Sequence, residues 1–210
     1  DGMPWDMNVE AKKHKARHII ETEEPKFVIG SPMCKAFSQL MAMNWKTIGE
    51  VKMRALIDQC VVHLKWCFEL YELQYNAGRY FLHEHPWGAW SWKFDFVRDL
   101  MEKDGVLFVK GAPCPFEQWS LDLEGFGLVL KLTGWLTNSK EVAKRVGVDC
   151  SNKLPGAIPH RHVQLVNGRA SATEVYPPKL VIAILAGIAA QLRADGDTCA
   201  DGIGMICEVS

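Results

Sequence analysis

The sequence predicts a single α/β domain, built in three layers around a mostly parallel sheet. Three apolar runs, 26–29, 79–83 and 106–110, are short and bounded by turn residues, which is typical of buried strands. Between the first two lies a longer stretch, 48–77, whose apolar residues recur at helical spacing. A helix of that length is the crossover connection that two parallel strands require.

Composition supports a globular chain of one domain. The 210 residues are 48% hydrophobic and 23% charged, which allows a real core and argues against disorder. No run of eighteen apolar residues occurs, so we expect no membrane span and no membrane partner. We expect the domain to cover 1–194 and a flexible tail to cover 195–210.

Cysteine usage and net charge restrict the compartment and the partners. The seven cysteines are irregularly spaced and include no Cys-x-x-Cys pair, which favours reduced thiols and an intracellular protein, nuclear or cytoplasmic. The net charge is −1, whereas DNA-binding proteins usually carry a basic surplus. We therefore expect any binding of DNA by this chain alone to be weak.

The N-terminal part begins with a predicted helix and leads to a cysteine loop. The helix, 9–23, is expected to carry a solvated charged face composed of Lys12, Lys13, His14, Lys15 and Arg17. Gly30 and Pro32 end the first strand and place Cys34 on a loop at its carboxyl end, where open α/β sheets carry their chemistry. A cysteine there is either a buried apolar side chain or a nucleophile, and residue type alone leaves both open.

The second strand leads to an acidic residue and three tryptophans. Pro86 cannot continue a strand ladder, so the strand is expected to end at Glu84, beside the end of the first strand. Trp87, Trp90 and Trp92 follow, and we expect them to pack in the core in preference to stacking on a base.

The part of the chain after the tryptophans is predicted to contain further helices and strands. We predict a helix 94–103, the strand 106–110 ended by Gly111–Pro115 with a structural Cys114, a turn-rich link 121–127, a hairpin of strands 127–132 and 134–137, a helix 140–146 capped by Asn138 or Ser139, a loop 147–160, a short strand 161–166, and a last helix 179–193 begun by Pro177 and Pro178.

Three motifs occur in the order and spacing of a known family. They are SPMC at Ser31–Cys34, EHP at Glu84–Pro86 and KLTGWLTNS at Lys131–Ser139. Over about 25–185 the chain resembles the C5-cytosine DNA methyltransferases, whose catalytic loop usually reads Pro-Pro-Cys-x-x-Phe-Ser. More narrowly, it resembles the divergent methyltransferase-like domains of some phages and retrotransposon polyproteins. The resemblance implies a partial Rossmann-like methyltransferase fold.

The resemblance also implies site residues, a cofactor and partners. Cys34 would be the nucleophile that attacks C6 of a flipped cytosine, and Glu84 the carboxyl group at N3. Substrate-binding residues would be Ser31, Pro32, Ser38, Lys131, Thr133, Thr137 and Asn138. S-adenosylmethionine would donate the methyl group, although the glycine motif that binds it is not visible in this sequence. DNA would be the substrate, and a missing N-terminal half or a protein partner would complete the site.

Three other interpretations stay open. The chain could be a non-catalytic methyltransferase-like remnant that serves as a binding or structural module. A cysteine hydrolase built on Cys34 with His83 or His85 ranks last, because no nucleophile elbow is present. A metal site could be drawn from histidines and cysteines, namely His83, His85, His160 and His162 with Cys34 or Cys114. No Cys-x-x-Cys pair or carboxylate cluster accompanies them, so we expect no metal site.

Overall fold

The protein has a mixed α/β architecture with both parallel and antiparallel strand pairs. A computed structural model describes residues 5–38, 48–165 and 173–197. The chain divides into two compact units, an N-terminal unit of residues 1–106 and a C-terminal unit of residues 107–210. Among the helices described, none combines the length and the apolar character needed to cross a bilayer.

In the described part of the N-terminal unit there are three α-helices, two 3-10 helices and two strands. In chain order these are α1 Glu10–Glu23, β1 Phe27–Gly30, a 3-10 helix Lys35–Phe37, α2 Glu50–Asn76, β2 Tyr80–Pro86, a second 3-10 helix Trp90–Lys93, and α3 Asp95–Met101.

The two strands of this unit are parallel neighbours, and the long helix α2 connects them. Phe27 pairs with Tyr80 and Gly30 with His83. The predicted crossover is therefore confirmed, because parallel strands cannot be joined by a tight turn. The side-chain amide of Gln74, near the end of α2, donates hydrogen bonds to the carbonyls of Pro25 and Tyr80. These bonds hold the end of the helix against the starts of both strands.

Two predictions for this unit need correction. Strand β2 continues to Pro86, so Glu84 lies within the strand and not beyond its end. Proline is tolerated there because Pro86 is the last residue of the strand. Lys13 was expected on a solvated face but is only 7% exposed. Its ammonium group donates to Glu10 at 2.8 Å, which offsets part of the cost of burying the charge.

The described residues of the C-terminal unit form five strands, two α-helices and two 3-10 helices. They are β3 Leu107–Gly111, a 3-10 helix Cys114–Phe116, β4 Trp119–Asp122, β5 Gly125–Val129, β6 Thr133–Thr137, α4 Lys140–Val146, a 3-10 helix Ser151–Lys153, β7 His162–Val163, and α5 Pro178–Ala194.

The strand pairing of this unit differs from the predicted hairpin. Strand β6 pairs antiparallel with β3, while β5 lies between β4 and β7 in a separate sheet. The predicted link 121–127 is instead a tight hairpin between β4 and β5. Its turn is short because Asp122 Oδ1 accepts the backbone N–H of Glu124, and Gly125 adopts a φ of +108° that favours glycine.

The helices of the C-terminal unit agree with the sequence. Helix α4 has the predicted bounds, and its cap is Ser139, whose hydroxyl oxygen accepts the backbone N–H of Val142 at 3.2 Å. Helix α5 begins at Pro178, as the proline pair predicts. Most of the predicted tail, 198–210, lies outside the described residues. Of the predicted strand 161–166, the structure forms His162–Val163 as β7, and residue 166 lies outside the described residues.

Candidate active site

The loop that carries Cys34 is hydrogen-bonded to strand β2 through Ser31 and Glu84. Gly30 and His83 form the last pair of the parallel register, so Ser31 and Glu84 are the next residues on neighbouring strands. The Ser31 hydroxyl donates to Glu84 Oε2 at 2.6 Å, and Glu84 is 7% exposed. The carboxyl group is thus directed at the start of the cysteine loop.

A second hydrogen bond fixes the loop one residue later. The backbone carbonyl of Pro32 lies 3.2 Å from His85 Nε2, and the Ser91 hydroxyl lies 2.8 Å from His85 Nδ1. A carbonyl oxygen only accepts, so Nε2 must carry the proton and donate to Pro32. When the ring is neutral, Nδ1 is the acceptor and the Ser91 hydroxyl donates to it. His85 is fully buried and holds the loop against strand β2 through its hydrogen bond to Pro32.

Aromatic packing holds the far side of the loop. The Phe37 ring is fully buried and meets the Trp90 ring edge-on, with centroids 4.9 Å apart. The indole N–H of Trp90 donates to the carbonyl of Ala36 at 3.2 Å, and that of Trp92 donates to Pro86. Trp90 and Trp92 are half-buried and pack against the loop, whereas Trp87 is 37% exposed, so the expectation that all three tryptophans pack in the core is wrong for Trp87. The loop is therefore held at both ends.

Cys34 lies between these anchors, at the start of the 3-10 helix Lys35–Phe37. The residue is half-buried, and its carbonyl accepts the backbone N–H of Phe37 at 3.0 Å. Of the other predicted loop residues, Pro32 is buried, and half-buried Ser38 donates to the carbonyl of Lys35 at 3.3 Å. The structure thus brings Ser31 and Pro32 against β2 and leaves the Cys34 side chain partly accessible on the same loop.

Two other cysteines of this unit are packing residues. Cys60 and Cys67 are buried on α2. Burial raises the pKa of the Cys60 thiol, a shift that a hydrogen bond from the Ala36 backbone and the charge of Lys35 partly oppose. Burial raises the pKa of Cys67 to about 12. Thiols with raised pKa values carry little thiolate at neutral pH and are poor nucleophiles.

His83 is buried behind the loop among aromatic rings. It is 1% exposed, and its Nδ1 lies 3.2 Å from the hydroxyl of Tyr71. Its Nε2 has no hydrogen-bond partner among the described residues. Burial lowers the pKa of this imidazole well below its usual value, and the neighbouring His85 lowers it further. His83 is consequently neutral at physiological pH and is a packing residue of the N-terminal unit.

The remaining predicted substrate-binding residues lie on and beside strand β6 in the C-terminal unit. The Thr133 hydroxyl donates to the carbonyl of Lys131, and the Thr137 hydroxyl oxygen accepts the backbone N–H of Ser139. Both threonines are buried, whereas Lys131 and Asn138 are half-buried. The two hydroxyl groups therefore have structural hydrogen bonds, and a role in holding a base stays a prediction.

In open α/β sheets a nucleotide cofactor binds at an open turn after a strand, and the ends of β1 and β3 do not provide one. A Cβ added to Gly30, at the end of β1, would lie 1.9 Å from the Tyr71 hydroxyl oxygen. One added to Gly111, at the end of β3, would lie 2.2 Å from the carbonyl of Val146. Both glycines are needed for protein packing, and neither leaves a cradle for a nucleoside. These two strand ends therefore do not fit S-adenosylmethionine, and its binding by this chain stays a prediction.

Comparison with known proteins gives no family for this chain. No family model, no curated protein and no solved structure matches it. Its function must therefore be argued from the geometry of its own residues.

A group of metal-ligand residues in the C-terminal unit was missed by the sequence analysis. Cys114, Cys150, His160 and His162 have ligand atoms within 4.8 Å of one another. The metal site considered from sequence included the two histidines and Cys114 but not Cys150. The closely spaced Cys150, His160 and His162 were the available signal, since a cysteine followed by His-x-His supplies three ligands in one short segment.

Proposed function

We propose that this chain carries the cysteine-addition step of a C5-cytosine DNA methyltransferase, in a partial Rossmann-like fold of three layers. The observation that carries the proposal is the hydrogen bond between Ser31 and Glu84. It couples a buried carboxyl group to the loop that presents a partly accessible Cys34. A nucleophile and an acid on neighbouring parallel strands are the pair that this chemistry needs.

The proposed step is the reversible addition of the Cys34 thiolate to cytosine. The Cys34 thiolate forms a bond to C6 of cytosine as the C5–C6 double bond opens. The electron pair shifts through the ring toward N3, which takes the proton of the Glu84 carboxyl group. C5 is then enamine-like and nucleophilic. In water, C5 takes a proton. Loss of one C5 hydrogen to water, return of the N3 proton to the Glu84 carboxylate and expulsion of the thiolate then restore cytosine and the starting side chains.

The substrate would be a cytosine outside a base-paired stack. A base within a duplex cannot place C6 against a side chain, so it must be flipped out or be single-stranded from the start. The net charge of −1 gives little phosphate attraction. We therefore propose that a partner, or a further part of the protein, supplies most of the DNA affinity and the methyl donor.

A covalent adduct tests this proposal directly. A single-stranded oligonucleotide containing pyrimidin-2-one in place of one cytosine accepts thiols at C6 without a methyl donor. We expect the purified chain to form a one-to-one adduct, seen by intact mass and located at Cys34 by peptide mapping. Cys34→Ala should form none, whereas Cys60→Ala should form it as the wild type does. A folded wild type without an adduct, or an adduct at another cysteine, contradicts the proposal.

The second candidate is a methyltransferase-like module that binds a partner and has no catalytic role. The packing of Tyr71 against Gly30, which fills the turn after β1, favours it. Calorimetry with S-adenosylmethionine distinguishes the two candidates only together with the adduct assay. Absence of both heat and adduct supports the non-catalytic module, whereas an adduct without heat supports an enzyme completed by another part.

A further inference from the structure

Four side chains from separate segments of the C-terminal unit converge at one point. Cys114 opens the 3-10 helix after β3, Cys150 precedes the 3-10 helix Ser151–Lys153, His160 lies in the following loop, and His162 begins β7. Their two sulfur atoms and two ring nitrogens all lie within 4.8 Å of one another. Convergence of four such groups is unusual unless something binds between them.

The separations among the ligand atoms of Cys150, His160 and His162 are close to those of tetrahedral coordination. Cys150 Sγ lies 3.5 Å from Nε2 of His160 and 3.5 Å from Nε2 of His162. The two Nε2 atoms are 2.9 Å apart. Around a tetrahedral zinc, metal–ligand bond lengths of about 2.3 Å for sulfur and about 2.0 Å for nitrogen place S and N about 3.5 Å apart and two N about 3.3 Å apart. A small opening of the histidine pair and a closer approach of Cys114, whose sulfur lies within 4.8 Å of the other three ligand atoms, would meet this geometry.

Hydrogen bonding among the four groups explains the arrangement less well. Both histidines direct the same ring atom, Nε2, at each other and at the sulfur of Cys150. With neutral rings, the Cys150 S–H and one Nε2–H can each satisfy one of these three contacts, which leaves at least one pair of atoms with no proton between them. A cation at the centre would be attractive to all of them at once.

The surroundings suit a neutral metal centre. Cys114 and Cys150 are 3% and 2% exposed and pack with Ala112, Leu128 and Leu132 in an apolar cluster. Two thiolates and one divalent cation carry no net charge, so such a centre can be buried at little electrostatic cost. Thiolate and imidazole are the ligands that zinc prefers, whereas magnesium and calcium prefer oxygen.

The neighbouring residues hold the histidine segment in position. The Asn152 side chain accepts the backbone N–H of His160 at 2.9 Å and donates to the carbonyl of the same residue at 2.8 Å. Arg161, between the two histidines, forms an ion pair with Asp122 at 2.8 Å. The guanidinium charge is thereby paired with a carboxylate, which leaves the two imidazoles to face the cysteines.

We propose that Cys114, Cys150, His160 and His162 bind one zinc ion in a closed, structural site. With four protein ligands, no coordination position is left for a substrate or a reactive water, which distinguishes structural from catalytic zinc. The ion would tie the segment after β3 to the loop that leads into β7. This inference does not rest on the proposed cysteine chemistry at Cys34.

The test measures the metal in the whole purified chain. Elemental analysis should give one zinc per chain, and X-ray absorption at the zinc edge should show two sulfur ligands at about 2.3 Å and two nitrogen ligands at about 2.0 Å. Replacement by Co²⁺ should give the intense visible bands of a tetrahedral site and a thiolate charge-transfer band. These wild-type measurements decide the question even if a ligand variant fails to fold.

Variants assign the ligands. Cys150→Ser and His162→Asn should each lower zinc affinity by more than about a hundredfold, because loss of a ligand should exceed the effect of losing an outer partner. Cys34→Ser and the exposed His18→Gln are matched controls and should keep one zinc per chain. A folded wild type that neither contains zinc nor binds Co²⁺, or a disulfide joining Cys114 to Cys150 in the native protein, overturns the inference.

Discussion

Ser31 and Glu84 are joined by a hydrogen bond of 2.6 Å between neighbouring parallel strands of the N-terminal unit. The bond couples the start of the Cys34 loop to a carboxyl group that is 7% exposed. It follows directly from the strand register, in which Gly30 and His83 are the preceding pair. The position of the candidate nucleophile relative to its acid therefore depends on this contact.

Ser31→Ala tests the contact. The hydroxyl group donates to a buried carboxyl oxygen, and removing one partner of a buried hydrogen bond costs about 1–3 kcal/mol, so we expect a loss of about 2 kcal/mol in the free energy of unfolding. Denaturant titration measures it. Ser38→Ala, which removes a longer bond to a local carbonyl, is the control and should cost less than about 0.5 kcal/mol. Equal stability of Ser31→Ala and wild type would contradict the contact.

Gly30→Ala should be destabilising because of Tyr71. The new Cβ would lie 1.9 Å from the Tyr71 hydroxyl oxygen and 2.9 Å from Cζ, in a side chain that is 1% exposed. Overpacking of this kind costs about 1–3 kcal/mol. In the double variant with Tyr71→Phe the closest clash is absent, so the two substitutions should couple favourably in a double-mutant cycle. Simple additivity would show that the two side chains do not meet.

His83 should make the protein less stable in mild acid. Its folded-state pKa lies well below the value near 6.5 expected in the unfolded chain, chiefly because of burial. The unfolded state therefore binds a proton first, and the stabilisation that is complete above pH 6.5 is lost progressively as pH falls below it. Tyr71 and His85 are the titratable groups that face His83.

Unfolding experiments at pH 7.5 and pH 5.5 isolate this effect. The wild type should lose about 1 kcal/mol more between the two values than His83→Gln does. The exposed His18→Gln should retain the wild-type dependence on pH. The same pH dependence in His83→Gln and wild type would show that His83 is not the group responsible.

Ser139→Ala should weaken the start of helix α4. The hydroxyl oxygen accepts the backbone N–H of Val142, and the hydroxyl group donates to the side chain of Gln191 on α5. Loss of a serine cap costs about 1 kcal/mol, and loss of the second bond adds to it. Thermal unfolding should show a lower midpoint for Ser139→Ala, whereas Ser139→Asp should retain the cap and lose less. No difference between the two variants would contradict this account.

Local signals predicted much of the fold. The bounds of α4, the serine at its cap and the proline start of α5 follow from side-chain chemistry within a few residues. The crossover from β1 to β2 follows from the helix length between two short apolar runs. Strand pairing in the C-terminal unit was not predictable in this way, because 125–129 and 133–137 are adjacent in sequence but pair in different sheets.

The two candidate sites differ in the same respect. Ser31 and Glu84 could be placed together from sequence, since the ends of neighbouring parallel strands meet at one edge. Cys114 lies far along the chain from Cys150, and only the folding of the segment between β3 and β7, which contains β4 to β6 and α4, brings them together. Sequence patterns of metal sites rely on ligands that lie close together in the chain. Only the segment from Cys150 to His162 provides such ligands here.

Exchange of the C5 hydrogen of cytosine is the most direct test of the proposed chemistry. A single-stranded oligonucleotide with deuterium at C5 is incubated with the purified chain, and loss of the label is followed by mass spectrometry. We expect exchange by the wild type, none above background for Cys34→Ala, and exchange slowed about a hundredfold or more for Glu84→Gln, as removal of a general acid implies. Wild-type exchange at the background rate, or undiminished exchange by Cys34→Ala, would contradict the account.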